Sequence, residues 1–199
     1  MVVIGYGECE DRTRSRHMAA VRLRNSLLAG CCGITDPDGM ISLTPKGRPV
    51  IDSDGVDISV SHSLCAVMAG ICFDRGTRFR TPDGSDDPLV RQFEMDAVRI
   101  GVDVEEIGTP DRHDRYKKIA ERYFLPRERE YLKKIKDVKI FTDEFFRIWT
   151  VKESVCKMTG DGLAGLTSAD SFSGGGKRFI HSEKLFFGGK AYYASVCAE

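Results

Sequence analysis

Apolar and polar positions alternate with a period of two in several short runs and with a period near 3.6 in others, which divides the chain into strands and helices. Residues 11–30 read as a helix. Met18, Val21, Leu27 and Leu28 supply its apolar face, arginines at 12, 14, 16, 22 and 24 cover the rest, and Gly30 and Gly33 stop it. A turn at Asp36-Pro37-Asp38-Gly39 follows, then short strands up to Phe73, with a hairpin partner expected over residues 98–104. Residues 74–97 are polar and irregular, carry Pro82 and Pro88, and read as a loop with no catalytic part. Beyond them come helices near 115–136 and 143–158 and strands at 168–173, 178–187 and 190–198. Gly174-Gly175-Gly176-Lys177 reads as a turn, because its spacing and missing Ser/Thr do not make a phosphate loop. The fold class is α+β, divided into residues 1–98, with the polar insertion, and residues 99–199. Each part is a helix on a small, mainly antiparallel sheet.

Composition narrows the function classes. Thirty basic and thirty acidic residues cancel, so no overall field draws the chain to nucleic acid or an anionic membrane, and any basic site is local. The longest uncharged apolar run, residues 64–73, is about half a membrane span and reads as a buried strand. The apolar start at residues 1–4 is too short for a signal core. Seven cysteines without a Cys-x-x-Cys give neither a disulfide framework nor a zinc site, and reduced cytoplasmic thiols are the expectation. The adjacent Cys31 and Cys32 receive no role.

The chemistry lies in two stretches. On a helical period Phe146, Trp149, Glu153 and Cys156 share one stripe, which sets a carboxylate among aromatic groups with Lys157 one turn on. In Ile100-Gly101-Val102-Asp103-Val104-Glu105 the acids alternate with apolar residues, so Asp103 and Glu105 point to one side of a strand. Two such carboxylates, about 7 Å apart along the strand, repel unless a cation lies between them. Oxygens from Asp103, Glu105 and Glu153 suit Mg²⁺, with Mn²⁺ also possible, because such an ion keeps positions for water and phosphate.

These stretches resemble the 4′-phosphopantetheinyl transferases, in the larger two-lobed form that activates peptide and polyketide synthetases. The resemblance rests on Gly47-Arg48-Pro49, Ser61-His62-Ser63, Gly101-Val102-Asp103-Val104-Glu105, Arg122-Tyr123-Phe124-Leu125-Pro126-Arg127-Glu128, and Trp149 through Gly160-Asp161-Gly162-Leu163, in the family's order. It implies two pseudo-symmetric lobes with the active site in the cleft between them. It also implies transfer of the phosphopantetheine arm of coenzyme A to a serine of an apo acyl, peptidyl or aryl carrier protein, releasing 3′,5′-ADP. Asp103, Glu105 and Glu153 become the metal ligands. Lys157 becomes the cation on the phosphate or leaving oxygen, and Glu128 assists in taking the serine proton. Arg16, Arg48, Pro49, Ser61 and His62 become coenzyme A contacts. Arg48 stands where the family usually has lysine, and the chain begins after a basic segment found in larger relatives. Its length holds both lobes, so a monomer is expected.

Each residue has a plainer reading. Asp103 and Glu105 suit a solvated strand edge, Glu153 and Lys157 an ordinary i,i+4 pair, His62 a strand-end group and the arginines of the first helix a wet face. Another Mg-dependent phosphoester or nucleotide hydrolase shares the acids, and a non-catalytic coenzyme A-binding module shares the cleft.

Overall fold

The computed structural model describes residues 1–9, 13–74, 89–172 and 178–199, without the side chains of residues 13 and 14. Strands β1 (Val2–Glu8), β4 (Val56–Ser63), β5 (Ala66–Phe73) and β6 (Val90–Phe93) form one antiparallel sheet in the order β4-β5-β1-β6. A hairpin of β2 (Ile41–Leu43) and β3 (Pro49–Ile51) stands beside it. The second sheet, β7-β9-β8, is built from β7 (Ile100–Glu106), β8 (Phe179–Phe187) and β9 (Lys190–Ala198), again antiparallel.

Helix α1 (Thr13–Cys32) covers the first sheet. Leu27, Leu28 and Cys31 bury against Val3, Ile58, Ala69, Ile71 and Phe73. The alternate residues of the same strands, Val2, Ile4, Tyr6, Met68 and Cys72, turn the other way and meet Ile100, Val102, Val104, Tyr192, Ala194 and Val196 of the second sheet. The period of two thus fills two cores from one sheet, each large aliphatic side chain contributing about 1.5–3 kcal/mol by leaving water. Helix α4 (Val138–Thr159) lies on the far side of β7 and β9, with Val151, Val155 and Met158 buried near Cys197. Asp137 caps its start by accepting from the N–H groups of Lys139 and Ile140, and Gly160, with φ of 77°, ends it. The layers run helix, sheet, sheet, helix.

The edges of the two sheets meet along β4 and β7 without a backbone ladder. Asp57, Ser59, Ser61 and Ser63 project from one face of β4, and their oxygens accept the N–H groups of Ile100, Val102, Val104 and Glu106 at 2.9, 3.0, 3.3 and 3.2 Å. Side chains at every second residue do here what a neighbouring strand does elsewhere, and the buried donors of an edge strand are paired.

Several sequence expectations change. Residues 98–104 do not make a hairpin with the strands before Phe73: β7 pairs with β9, and Val98 is exposed. Two strands go unread in the sequence, β1 at the amino terminus and β6 inside the stretch read as a loop. The helix expected over 115–136 is two, α2 (His113–Tyr123) and α3 (Pro126–Lys133), because a residue before proline is pushed out of helical backbone and Leu125 sits at ψ of 155°. No strand occupies 168–172, which follows a 3₁₀ turn at Gly162–Thr167, and the turn expected at residues 174–177 lies outside the described residues. Gly30 lies within α1, and Gly33, with φ of 71°, follows its end. Met18 of the expected apolar face is exposed.

Candidate functional site

Strand β7 turns Ile100, Val102 and Val104 into the core between the sheets, which leaves Gly101, Asp103 and Glu105 facing α4. Gly101 is there for closeness: a Cβ would strike the backbone of Ser154 and Met158. This contact brings the strand acids up to the turn of α4 that carries Glu153 and Lys157.

The Lys157 ammonium donates to Asp103 Oδ1 at 2.7 Å and to Ser61 Oγ at 2.8 Å, and Ser61 Oγ in turn donates to the same carboxylate oxygen at 2.8 Å. Asp103 Oδ2 is buried with no hydrogen-bond partner among the described residues. Glu105 Oε2 accepts from Ser63 Oγ at 2.8 Å. Burial, then repulsion from Asp103, pushes the Glu105 carboxyl up to about 7, with Ser63 and Lys157 opposing and Glu153 adding to the rise. Glu153 is likewise pushed up to about 7 by burial and then by Asp103, against the pull of Lys157. The three acids expected from sequence therefore share one electrostatic neighbourhood, with Lys157 inside it.

Whether these acids fit a divalent ion follows from the same facts. Among the described residues no three His, Cys, Asp or Glu side chains converge closely enough to cage a metal as they stand. Asp103 and Glu105 are each bonded to neighbours, Lys157 and the two serines. The donor set nonetheless fits a hard cation. It comprises carboxylate oxygens only, one of them orphaned and buried, and two carboxyls held above the usual range first by burial and then by the Asp103 charge, which a cation would offset.

Two hollows flank the acids. One of about 320 Å³ is lined by Arg48, Pro49, Glu153, Lys157, Gly160 and Leu163. The other, of about 340 Å³, is lined by Ser63, Glu105, Arg112, Tyr116, Phe146 and Trp149. A larger cavity of about 500 Å³, between α2, α3 and the start of α4, touches none of these acids and is set aside on that ground. Burial lowers the His62 pKa against a backbone hydrogen bond that raises it, and Arg16 and His17 of α1 and Lys157 of α4 lower it further. The His17 and His62 rings meet edge to face at 6.4 Å.

Two expected site residues have other employment. Arg48 lines the hollow, but its Nε donates to the Lys157 carbonyl at 2.9 Å and its guanidinium pairs with Asp57, so it ties the hairpin to the end of α4. Glu128 is fully buried. Its Oε1 accepts from Ser171 N and Oγ at 2.8 and 2.6 Å, and its Oε2 from Leu125 N at 2.8 Å and Lys152 Nζ at 2.9 Å. A carboxylate so occupied and shut from solvent is not an assisting base, and that expectation is corrected: Glu128 is the counter-ion of Lys152. Lys152 itself, also fully buried and bonded to the Ala169 carbonyl, was missed by sequence reasoning, as was the polar register of β4. The signal for the second was present in Asp57-Ile58-Ser59-Val60-Ser61-His62-Ser63, where every other residue is polar.

Residues 99–194 match the family model of the 4′-phosphopantetheinyl transferase superfamily. The chain is 28% identical over 158 residues to the 4′-phosphopantetheinyl transferase HetI of Nostoc sp. (strain PCC 7120), a match covering 77% of this chain and 55% of HetI. A Synechocystis sp. (strain PCC 6803) protein named for the same activity is 41% identical over 66 residues, 33% of this chain and 25% of its own length. The chain thus spans about half the length of HetI and a quarter of the second relative. No helix among the described residues is long and apolar enough to cross a membrane.

Proposed function

We propose, from a chain whose residues 99–194 match the family model of the 4′-phosphopantetheinyl transferase superfamily, that it transfers the phosphopantetheine arm of coenzyme A to a serine hydroxyl of an apo carrier protein and releases 3′,5′-ADP. The observation that carries the reading is the shared electrostatic neighbourhood of Asp103, Glu105, Glu153 and Lys157, drawn from one strand and one helix, between two hollows.

In this reading Asp103, Glu105 and Glu153 hold Mg²⁺ or Mn²⁺. The ion supplies neutralisation of the negative charge that builds on the pyrophosphate oxygens during attack. The chain's own residues do the rest. Lys157, a third of its side chain exposed, stands at the mouth of the first hollow and adds a second positive charge to the phosphate. Arg16 offers charge, and His17 and His62 offer N–H donors, to the remote phosphate of the nucleotide, and Pro49 and Leu163 offer apolar wall to its base. Ser61 keeps Lys157 and Asp103 in register. The aromatic hollow beside Glu105 has room for the arm and for the approach of the carrier serine, with Phe146 and Trp149 excluding water. Burial and Asp103 raise the proton affinity of Glu105 and Glu153, so a cation bound there would compete with protons and its binding is expected to strengthen as pH rises. The chain acts in this reading as a cytoplasmic monomer.

The test is incubation with coenzyme A, Mg²⁺ and an apo carrier protein. A mass gain of one phosphopantetheine on the carrier serine, with 3′,5′-ADP in equal amount, is the expected result. Release of phosphate or nucleotide with the carrier unmodified would replace the reading with that of a hydrolase. Binding of coenzyme A without turnover would replace it with that of a binding module.

A further inference from the structure

Ser63 makes two bonds that belong to different structures. Its Oγ accepts the N–H of Glu106 at 3.2 Å, the last rung of the seam between the sheets, and donates to Glu105 Oε2 at 2.8 Å. Ser61 repeats the arrangement one rung earlier, accepting from Val104 N at 3.3 Å and donating to Asp103 Oδ1 at 2.8 Å. Ser59, one rung earlier again, accepts from Val102 N at 3.0 Å and, among the described residues, bonds no carboxylate. The hydroxyls of β4 are therefore of two kinds, one that only joins the sheets and one that joins them while aiming an acid of β7.

We propose that Ser63 is a positioning residue that orients the Glu105 carboxylate for the divalent cation, so that the amino-terminal sheet sets the aim of acids carried by the carboxy-terminal one. The inference rests on the reading of Asp103, Glu105 and Glu153 as cation ligands. Its physical basis is that a glutamate has three side-chain torsions to fix. Ser63, itself held by the Glu106 N–H, fixes one carboxylate oxygen and leaves the other to the ion. Without the hydroxyl Glu105 is free to turn away from Asp103, which repels it.

The experiment is titration of the metal-free protein with Mn²⁺, followed by loss of the free-ion electron paramagnetic resonance signal, with no turnover involved. Ser63→Ala is expected to weaken Mn²⁺ binding by about tenfold, the usual consequence of removing a group that orients a metal ligand. Ser59→Ala, which removes a rung without a carboxylate, is expected to bind within about twofold of wild type while losing comparable thermal stability, since a single such hydrogen bond contributes about 1 kcal/mol. Ser63→Thr, which keeps the hydroxyl, restores the affinity. Should Ser63→Ala not fold, the Ser63→Thr and Ser63→Val pair, alike in size and differing in the hydroxyl, reads the same difference. Equal Mn²⁺ affinity in wild type and Ser63→Ala would overturn the inference while leaving the ligand assignment standing. Equal weakening by Ser59→Ala and Ser63→Ala would reduce both serines to joining the sheets. Failure of the wild type itself to bind Mn²⁺ would overturn the ligand assignment and this inference with it.

Discussion

Lys157 Nζ lies 2.7 Å from Asp103 Oδ1, and the two come from different elements, α4 and β7, pressed together across a glycine. The pair is asymmetric: the Asp103 side chain is only 4% exposed, whereas that of Lys157 is 32% exposed and reaches the hollow. Removing the lysine therefore leaves a buried carboxylate with only the Ser61 hydroxyl. Lys157→Met is expected to cost about 2 kcal/mol in urea unfolding, the range for a hydrogen bond to a charged group. It is also expected to lower transfer by at least about tenfold through loss of a phosphate cation. Asp103→Asn added to Lys157→Met is expected to recover part of the stability and none of the transfer.

The pH dependence of stability follows from Glu105 and Glu153. Both carboxyls are raised from 4.5 to about 7 in the folded, metal-free chain. Between those values the folded state holds protons that the unfolded chain has given up, so their contribution falls as pH rises through the window and is constant above it. Thermal melts in chelator are expected to show this loss between about pH 5 and pH 7. Glu105→Gln, which cannot ionise, is expected to flatten the slope. An equal slope in wild type and Glu105→Gln would mean that neither burial nor Asp103 holds the Glu105 carboxyl above its ordinary range in the folded chain.

The Lys152–Glu128 pair is a stability element set beside the site. Both side chains are 0% exposed, and Glu128 also holds Ser171 and the first turn of α3. Glu128→Ala strands a buried ammonium and is expected to cost about 3–5 kcal/mol, whereas Glu128→Leu with Lys152→Met is expected to cost much less than the sum of the single changes. A double-mutant cycle in urea measures the difference. Additive losses would show that the two groups are not coupled.

Gly101 sets how closely β7 approaches α4. Gly101→Ala drives a Cβ into the backbone of Ser154 and Met158, and backbone has nowhere to retreat. The expected loss is about 1–3 kcal/mol or more in stability. Transfer is expected to fall further than stability alone explains, because Asp103 moves with the strand. Wild-type transfer in a folded Gly101→Ala protein would contradict this.

Legibility of the sequence divides along physical lines. The acids on β7 were readable because a strand puts every second residue on one face, and Glu153 and Lys157 because a helix aligns residues four apart. The long helices were readable from their period, and the break at Leu125-Pro126 was available from proline chemistry yet was passed over. β1 was not readable because its first five residues are buried on both faces and do not alternate, and β6 because four residues carry little periodicity, and the pairing of both is non-local. The alternation of Asp57, Ser59, Ser61 and Ser63 was visible, but its meaning depends on β7 lying alongside, forty-three residues on for the first rung. Glu128 was misassigned for a related reason. A carboxylate in a sequence motif carries no sign of whether it faces solvent or a buried lysine twenty-four residues away.

The measurement that bears most directly on the central claim is mass spectrometry of an apo carrier protein after incubation with coenzyme A, Mg²⁺ and either wild type or Glu153→Gln. Glu153→Gln keeps the shape of the side chain and removes its charge. Wild type is expected to add one phosphopantetheine to the carrier serine, and Glu153→Gln, folded as judged by its thermal melt, to do so at least about a hundredfold more slowly, a barrier rise of about 2.7 kcal/mol. Equal rates from the two proteins would contradict the account, because the helix acid would then have no part in the chemistry.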